Sequence, residues 1–455
     1  MKIDTNLFLK QHIIEIADIN ECLGAETIES IARQTKFLKR KGKLPASCFV
    51  NSLIFNENSQ ANTSLQDLTA DLVQAHDVDI SKEALHKRFT VEAVDFLKAV
   101  LANLLTKQLQ NRTKEMLPTN FGRIKIKDST KFALPDCYGD NYKGYGNFSK
   151  KNGLMSLQYE YDLYNNNWLS IEITKGLRND QQDSKETTDA ISEGDLHIRD
   201  LGYITPTYLS AIVSKKAYFL NRLPSKAAVL NDKKQILNWE KLNNVFNKHN
   251  LTAMEFDVLV YEKDQIPCRL IIERIADEEY TRRLQKVNSI AKSKGIGVSA
   301  LHKIKLRYNF FITNVDASIL PFNVIRKTYY LRWQIELVFK TWKSNFRIDK
   351  LKKVKKERLE CQMLARLMWI LINWRLYKTF NRHAKKINNE QGVSVLRFFK
   401  RSLKFAATLR LVLLNKFSAD IWLKEIYKPL VIDCLCMPPH KQCTHYEYLK
   451  INMKA

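Results

Sequence analysis

The chain has 455 residues, 45% of them apolar, with 74 Lys and Arg against 48 Asp and Glu, a formal net charge of +26. That length exceeds the usual size of one hydrophobic core, so two or three domains are expected, and the apolar share is that of an ordinary globular protein. The cationic excess points to a polyanionic partner, for which nucleic acid is the commonest candidate.

Met1-Lys-Ile-Asp-Thr-Asn-Leu7 has no apolar h-region, so no secretory signal is expected. The most apolar helical run, Leu364 to Leu376, is too short to span a bilayer and carries Arg366 and Arg375. The eight cysteines form no paired framework, which suits a reducing cytosol. A soluble, cytoplasmic protein is the expectation.

Residues 1–118 read as helical. Thr63 and Ser64 offer N-caps for a helix beginning at Leu65, with Gln66 or Asp67 placed for a capping box. After a polar break at His76–Asp79, Ser81 caps a second short helix bearing Lys82, His86, Lys87 and Arg88. The pair resembles a helix-turn-helix, and Lys82, Lys87 and Arg88 are its candidate DNA contacts. Most helical hairpins bind nothing; the net charge is what favours DNA here. The run Lys36–Lys43 is a second basic stretch, either a solvated loop or a contact to backbone phosphates.

Near residue 120 the period changes to two. Arg123–Asp128 alternates, with Ile124, Ile126 and Asp128 on one face and Asp128 closing the strand. Leu154–Tyr164 and Trp168–Thr174 form a hairpin about the Asn165–Asn167 turn. A polar helix is expected over about Ser184–Glu193, then a fourth strand at Leu196 ending at Asp200. A helix opened by Thr205-Pro206 runs to about Ala217, and Tyr218–Leu223 makes a fifth strand. Three strands with a hairpin, then strand, helix, strand, is the order of a ribonuclease-H-like sheet of the α/β class. About 90 residues then intervene, too many for a structureless loop, and they read as an inserted, mainly-β subdomain.

The expected organisation is therefore a helical N-terminal DNA-binding domain (1–118), a first core segment (119–223) and the insertion (224–315). A second core segment (316–380) and a helical C-terminal region (381–455) complete it. In the last part Leu364, Met368, Ile372 and Leu376 recur at four-residue spacing, read as core packing in preference to a dimer helix.

The chemistry is concentrated in Tyr329-x2-Arg332-x3-Glu336-x6-Lys343. On one helix these four side chains fall within an arc of about 60°. In the expected sheet Asp128 and Asp200 end neighbouring strands, and the Glu336 helix packs across them. Three carboxylates converging on one point repel unless cations lie between them, and divalent metals are the usual solution. The rival acids, Asp136, Asp140 and Asp195, lie in loops or at a turn. Trp239, the one tryptophan of the insertion, is read as packing. The clump of Cys434, Cys436, His440, Cys443 and His445 does not have a standard zinc spacing.

These motifs resemble bacterial insertion-sequence DDE transposases of the insertion-sequence-4 type. The chain matches that family's Tyr-x2-Arg-x3-Glu-x6-Lys signature at all four positions. The segments around Asp128-Ser-Thr and Asp200-Leu-Gly-Tyr resemble its first and second catalytic blocks. The likeness covers about residues 120–350, and is looser before them. It implies Asp128, Asp200 and Glu336 as catalytic metal ligands for two Mg²⁺ ions, with Mn²⁺ able to substitute. It implies Tyr329, Arg332 and Lys343 as contacts to the transposon end. The implied activity is metal-dependent cleavage and strand transfer on terminal inverted repeats and target DNA. A homodimer in the synaptic complex and a nucleoid location when bound are also implied. The alternatives are an inactive or regulatory DNA-binding relative, and a ribonuclease-H-like nuclease without strand transfer.

Overall fold

A computed structural model describes residues 5–40, 42–55, 63–110, 121–145, 152–163, 165, 167–224, 226–387 and 391–436. Six helices come first: α1 (Thr5–Leu23), α2 (Ala25–Gln34), α3 (Ala46–Ile54), α4 (Leu65–His76), α5 (Lys82–Arg88) and α6 (Val91–Gln110). The capping box at α4 forms with Asp67: Ser64 Oγ accepts from Asp67 N at 3.0 Å, and Ser64 N donates to Asp67 Oδ2 at 2.7 Å. Ser81 Oγ caps α5 through Ala84 N at 3.2 Å.

Nine strands make one mixed sheet. They are β1 (Ile124–Leu134), β2 (Gly153–Asp162), β3 (Asn167–Lys175), β4 (Leu196–Arg199), β5 (Tyr218–Arg222), β6 (Val229–Leu230), β7 (Ala253–Val260), β8 (Ile266–Arg274) and β9 (Tyr308–Thr313). The spatial order is β3-β2-β1-β4-β5-β9-β8-β7-β6. β1, β2 and β3 are antiparallel neighbours, whereas β4 runs parallel to β1 and β5 parallel to β4. Between them lie α7 (Asp180–Glu186) and α8 (Pro206–Ser214).

The strands of the 224–315 segment do not stand apart from this sheet. β9 pairs antiparallel with β5, and β8 with β9, so the segment extends the sheet from its β5 edge. It also carries α9 (Trp239–Lys248), α10 (Asp277–Ser293) and α11 (Ala300–Lys305). Trp239 packs edge-on to Phe310 at 5.1 Å between ring centroids.

Four boundaries differ from the sequence reading. Asp128 lies within β1, because pairing with β2 continues to Leu134↔Gly153 while Thr130, Phe132 and Leu134 stay buried. The polar helix begins earlier and is shorter, since Asn179 Oδ1 caps α7 at Gln182 N (2.7 Å), and only a 3₁₀ turn, Thr188–Ala190, follows it. The helix opened by Pro206 ends at Ser214, where Lys216 turns left-handed at φ 54°. The signature also does not occupy a single α-helix. Tyr329 lies in α12 (Phe322–Tyr330) and Glu336 in α13 (Gln334–Phe346), with a 3₁₀ turn, Leu331–Trp333, between. Three residues per turn instead of 3.6 rotate Arg332 relative to the ideal stripe.

The chain then forms α14 (Lys356–Ile387), α15 (Val395–Ser402), α16 (Ala406–Leu413) and α17 (Ala419–Tyr427). Leu364, Met368, Ile372 and Leu376 are all buried on α14. α14 packs against α1, α3 and α6, and Lys378 Nζ donates to Asn167 Oδ1 of β3 at 2.9 Å. Buried Arg375 on α14 forms an ion pair with Glu15 on α1. The N-terminal helices and the sheet thus share one core through α14.

Candidate active site

β1 and β4 pair in parallel register to Lys127↔Arg199, so Asp128 and Asp200 are the next residues along two adjacent strands. Alternation then assigns the two faces. Ile124, Ile126 and Asp128 share one face of β1. Lys125 and Lys127 take the other, where Lys125 Nζ meets Glu160 at 3.2 Å and Lys127 pairs with Asp183.

α13 crosses the first face on an apolar stripe of Ile335, Val338, Phe339, Trp342 and Phe346, at helical spacing. Trp342 is fully buried, with its ring 4.9 Å from Tyr159 and 5.1 Å from Trp168. This packing turns Glu336, Lys340 and Lys343 toward an open cavity of about 570 Å³, which Asp128, Ser129 and Thr130 also line.

Arg332 joins the three acids. Its Nη2 donates to Glu336 Oε1 at 2.7 Å, Nη1 lies 3.4 Å from Asp128 Oδ2, and Nε lies 3.9 Å from Asp200 Oδ1. The Asp128 carboxyl is 20% exposed, against 50% for Asp200 and 44% for Glu336. Burial pushes Asp128 up to about 6, opposed in part by the Ser129 N–H on Oδ1 (2.8 Å) and by Arg332. Asp200 and Asp180 add to the upward push.

A second polar layer supports β1 from the α7 side. Asp180 Oδ1 accepts from Ser129 Oγ at 3.1 Å and Gln158 Nε2 at 3.4 Å, while Tyr203 donates to Gln158 Oε1 at 2.7 Å. Arg199 Nη2 donates to Glu160 at 2.9 Å beneath them. These buried and part-buried bonds have little freedom to slip, and they fix the register that puts Asp128 beside Asp200.

Of the residues singled out in the sequence, Asp128, Asp200, Arg332 and Glu336 come together, and Lys343 lines the same cavity. Tyr329 is buried, its ring 5.4 Å from Phe311, and burial raises its phenol to about 12. Lys82, Lys87 and Arg88 lie apart on α5. Lys340 and Asp180 also belong to this site, Lys340 in the cavity wall and Asp180 behind Ser129. The spacing Glu336-x3-Lys340 signals the first; nothing in the sequence signals the second, whose role depends on the fold. Cys434 is buried, while His440, Cys443 and His445 lie outside the described residues.

Among the described residues, no three His, Cys, Asp or Glu side chains are grouped closely enough to hold a metal as they stand. The Arg332 guanidinium, bonded toward all three carboxylates, takes the position between them. The donors are hard carboxylate oxygens, a set whose chemistry fits a hard divalent cation.

Residues 119–372, which include the three acids, match the family model described as a transposase DDE domain. The chain is 31% identical to the transposase for insertion sequence element IS231F of Bacillus thuringiensis subsp. israelensis over 375 residues, 78% of each protein. It is 28% identical to the transposase for IS1151 of Clostridium perfringens over 442 residues, 93% of this chain and 91% of the other. Against the transposase for IS231B of Bacillus thuringiensis subsp. berliner it is 32% identical over 76% of each.

Proposed function

The chain belongs to the transposase DDE family and is a DNA transposase, and on that premise we propose that Asp128, Asp200 and Glu336 carry its DNA cleavage and strand transfer. The observation that carries the assignment is the guanidinium shared by these three carboxylates at the wall of an open cavity. Strands β1–β5, in the order β3-β2-β1-β4-β5, support reading this half of the sheet as ribonuclease-H-like.

Asp128, Asp200 and Glu336 would hold two divalent ions, Mg²⁺ or Mn²⁺. When bound, such ions activate the attacking oxygen and stabilise the leaving one in phosphoryl transfer. The chain's own residues do the rest. The carboxylates would hold the ions in place relative to the sheet; being anionic, they do not themselves bind the phosphodiester. Lys340 and Lys343 line the cavity and hold flanking phosphates as point charges. Arg332, once released from the carboxylates, offers a planar fork to a phosphate. Tyr329, packed beneath, orients the turn that carries Arg332.

The substrate on this reading is the element's own terminal inverted repeats, then target DNA. The N-terminal helices bind the repeats, and a homodimer brings two ends together. The test uses duplexes carrying the inverted repeats that flank the gene. Mg²⁺-dependent nicking at the repeat end, and joining of a pre-cut 3′-hydroxyl to a second duplex, are the expected results. Nicking without joining identifies a nuclease instead; binding with neither identifies a DNA-binding relative.

A further inference from the structure

Two basic stretches that lie far apart in the sequence meet in space. The loop after α2 and the end of α5 enclose an open cleft of about 410 Å³ whose charged lining is Lys36, Lys39, Arg40, Lys87, Arg88 and one acid, Glu92, which pairs with Lys39 at 3.7 Å. The cleft is built on the N-terminal core. The Arg88 guanidinium lies 4.8 Å over the Phe37 ring, which stacks on Phe96 at 4.8 Å. Arg40 and Lys87, by contrast, are exposed.

A third basic stretch leads from the candidate active site to this cleft. α13, which carries Lys340 and Lys343, ends at Phe346, and residues 347–355 run from there to α14. Arg347, Lys350, Lys352, Lys353 and Lys355 along this loop are exposed. The loop backbone is held from beneath. Arg366, 1% exposed on α14, donates to the carbonyls of Lys350 at 3.0 Å and Arg347 at 3.4 Å. The Tyr138 hydroxyl accepts from Val354 N at 2.8 Å and donates to Val354 O at 2.5 Å, with Lys352 O also near at 3.3 Å. At the far end Lys355 Nζ donates to Phe89 O at 2.7 Å, beside Lys87 and Arg88.

A buried arginine committed to loop carbonyls costs desolvation, which its hydrogen bonds must offset. The outcome here is a fixed backbone that displays lysines outward. We propose that the 347–355 loop is a phosphate rail. It is a binding site for the backbone of duplex DNA that joins the cavity at Lys343 to the cleft at Arg40 and Lys87. This rests on the transposase reading above. Lys350 pairs with Asp349 and Lys355 with Glu357, each at 3.5 Å, yet the loop keeps an excess of positive charge that a polyanion lying across it would neutralise.

The test measures anisotropy of a fluorescent random-sequence duplex of about 30 base pairs against salt, with phosphate contacts setting the slope. The proteins are the native chain, Lys350→Ala/Lys353→Ala on the rail and Arg40→Ala/Lys87→Ala in the cleft. All four side chains are exposed, and unchanged melting temperatures verify the fold. Each pair should lower the slope of log K against log salt by about 1.8, so the deficit relative to the native chain shrinks roughly twelvefold between about 50 and 200 mM salt. Native slopes in the rail variant overturn the rail. If the rail variant is native-like while the native chain still nicks inverted-repeat ends with Mg²⁺, only the rail fails. If the native chain neither binds nor nicks, the transposase reading fails and the rail with it.

Discussion

The Arg332 guanidinium donates to Glu336 Oε1 at 2.7 Å from one helical turn away, and from there it also reaches Asp128 and Asp200. One fixed cation thus screens three anions. Any divalent ion entering the site competes with it for the same oxygens. Arg332→Ala is therefore expected to bind Mn²⁺ several-fold more tightly than the native chain without DNA, while cutting DNA more slowly. Calorimetric titration of the DNA-free protein reads the first effect and a nicking assay the second. Weaker Mn²⁺ binding in the variant would show that Arg332 organises the carboxylates instead of competing for them.

Substituting any one acid removes a charged oxygen donor without removing a cation that holds DNA. Asp128→Asn, Asp200→Asn and Glu336→Gln should each lower Mg²⁺-dependent nicking by roughly a thousandfold, about 4 kcal/mol of barrier. Binding of end DNA should remain within a few-fold of native. Gel-based nicking read beside anisotropy separates the two. Native-rate cleavage by any of the three removes that residue from the site.

Asp128 also makes a prediction about stability in the absence of metal. Its carboxyl is raised to about 6 in the folded chain, against about 3.9 unfolded. The folded state therefore keeps a proton that the unfolded state loses. Stability is full below about pH 4, falls as pH rises toward 6, and above that carries a penalty of about 3 kcal/mol. Asp128→Asn removes the titration. With chelator present, the variant should match the native chain near pH 4 and exceed it above pH 6 in urea unfolding. A gap independent of pH would mean that burial of Asp128 is not its cause.

How much of this was legible beforehand follows from the reach of each signal. Alternation in Arg123–Asp128 put Ile124, Ile126 and Asp128 on one face, and they lie there; the same reading ended the strand too early. Side-chain alternation reports a face, whereas strand length depends on the partner, and β2 continues pairing to Gly153. The Tyr-x2-Arg-x3-Glu-x6-Lys spacing put Arg332 near Glu336, since that contact is local. It gave no hint that Arg332 also reaches Asp128, 204 residues away. Asp180 was invisible for the same reason. Nor could charge runs alone show that the Lys36–Lys43 stretch, α5 and the 347–355 loop adjoin, because Lys355 meets Phe89 only once α14 is packed.

The position of Glu336 depends on an anchor two turns along its helix. Trp342 is fully buried among Tyr159, Trp168 and Phe339, so it sets both the height and the rotation of α13 over β2. Trp342→Ala opens a cavity under the helix and should cost about 3–5 kcal/mol of stability. It should also reduce nicking beyond what partial unfolding explains, because α13 can settle inward and carry Glu336 away from Arg332. Trp342→Phe keeps an aromatic ring and removes a buried indole N–H that has no hydrogen-bond partner among the described residues. Its expected cost is below about 2 kcal/mol, with most activity kept. Thermal melts and single-turnover nicking on folded protein decide between the outcomes. If Trp342→Ala nicks at the native rate per folded molecule, then Glu336 is positioned by its Arg332 bond alone and not by the core beneath it.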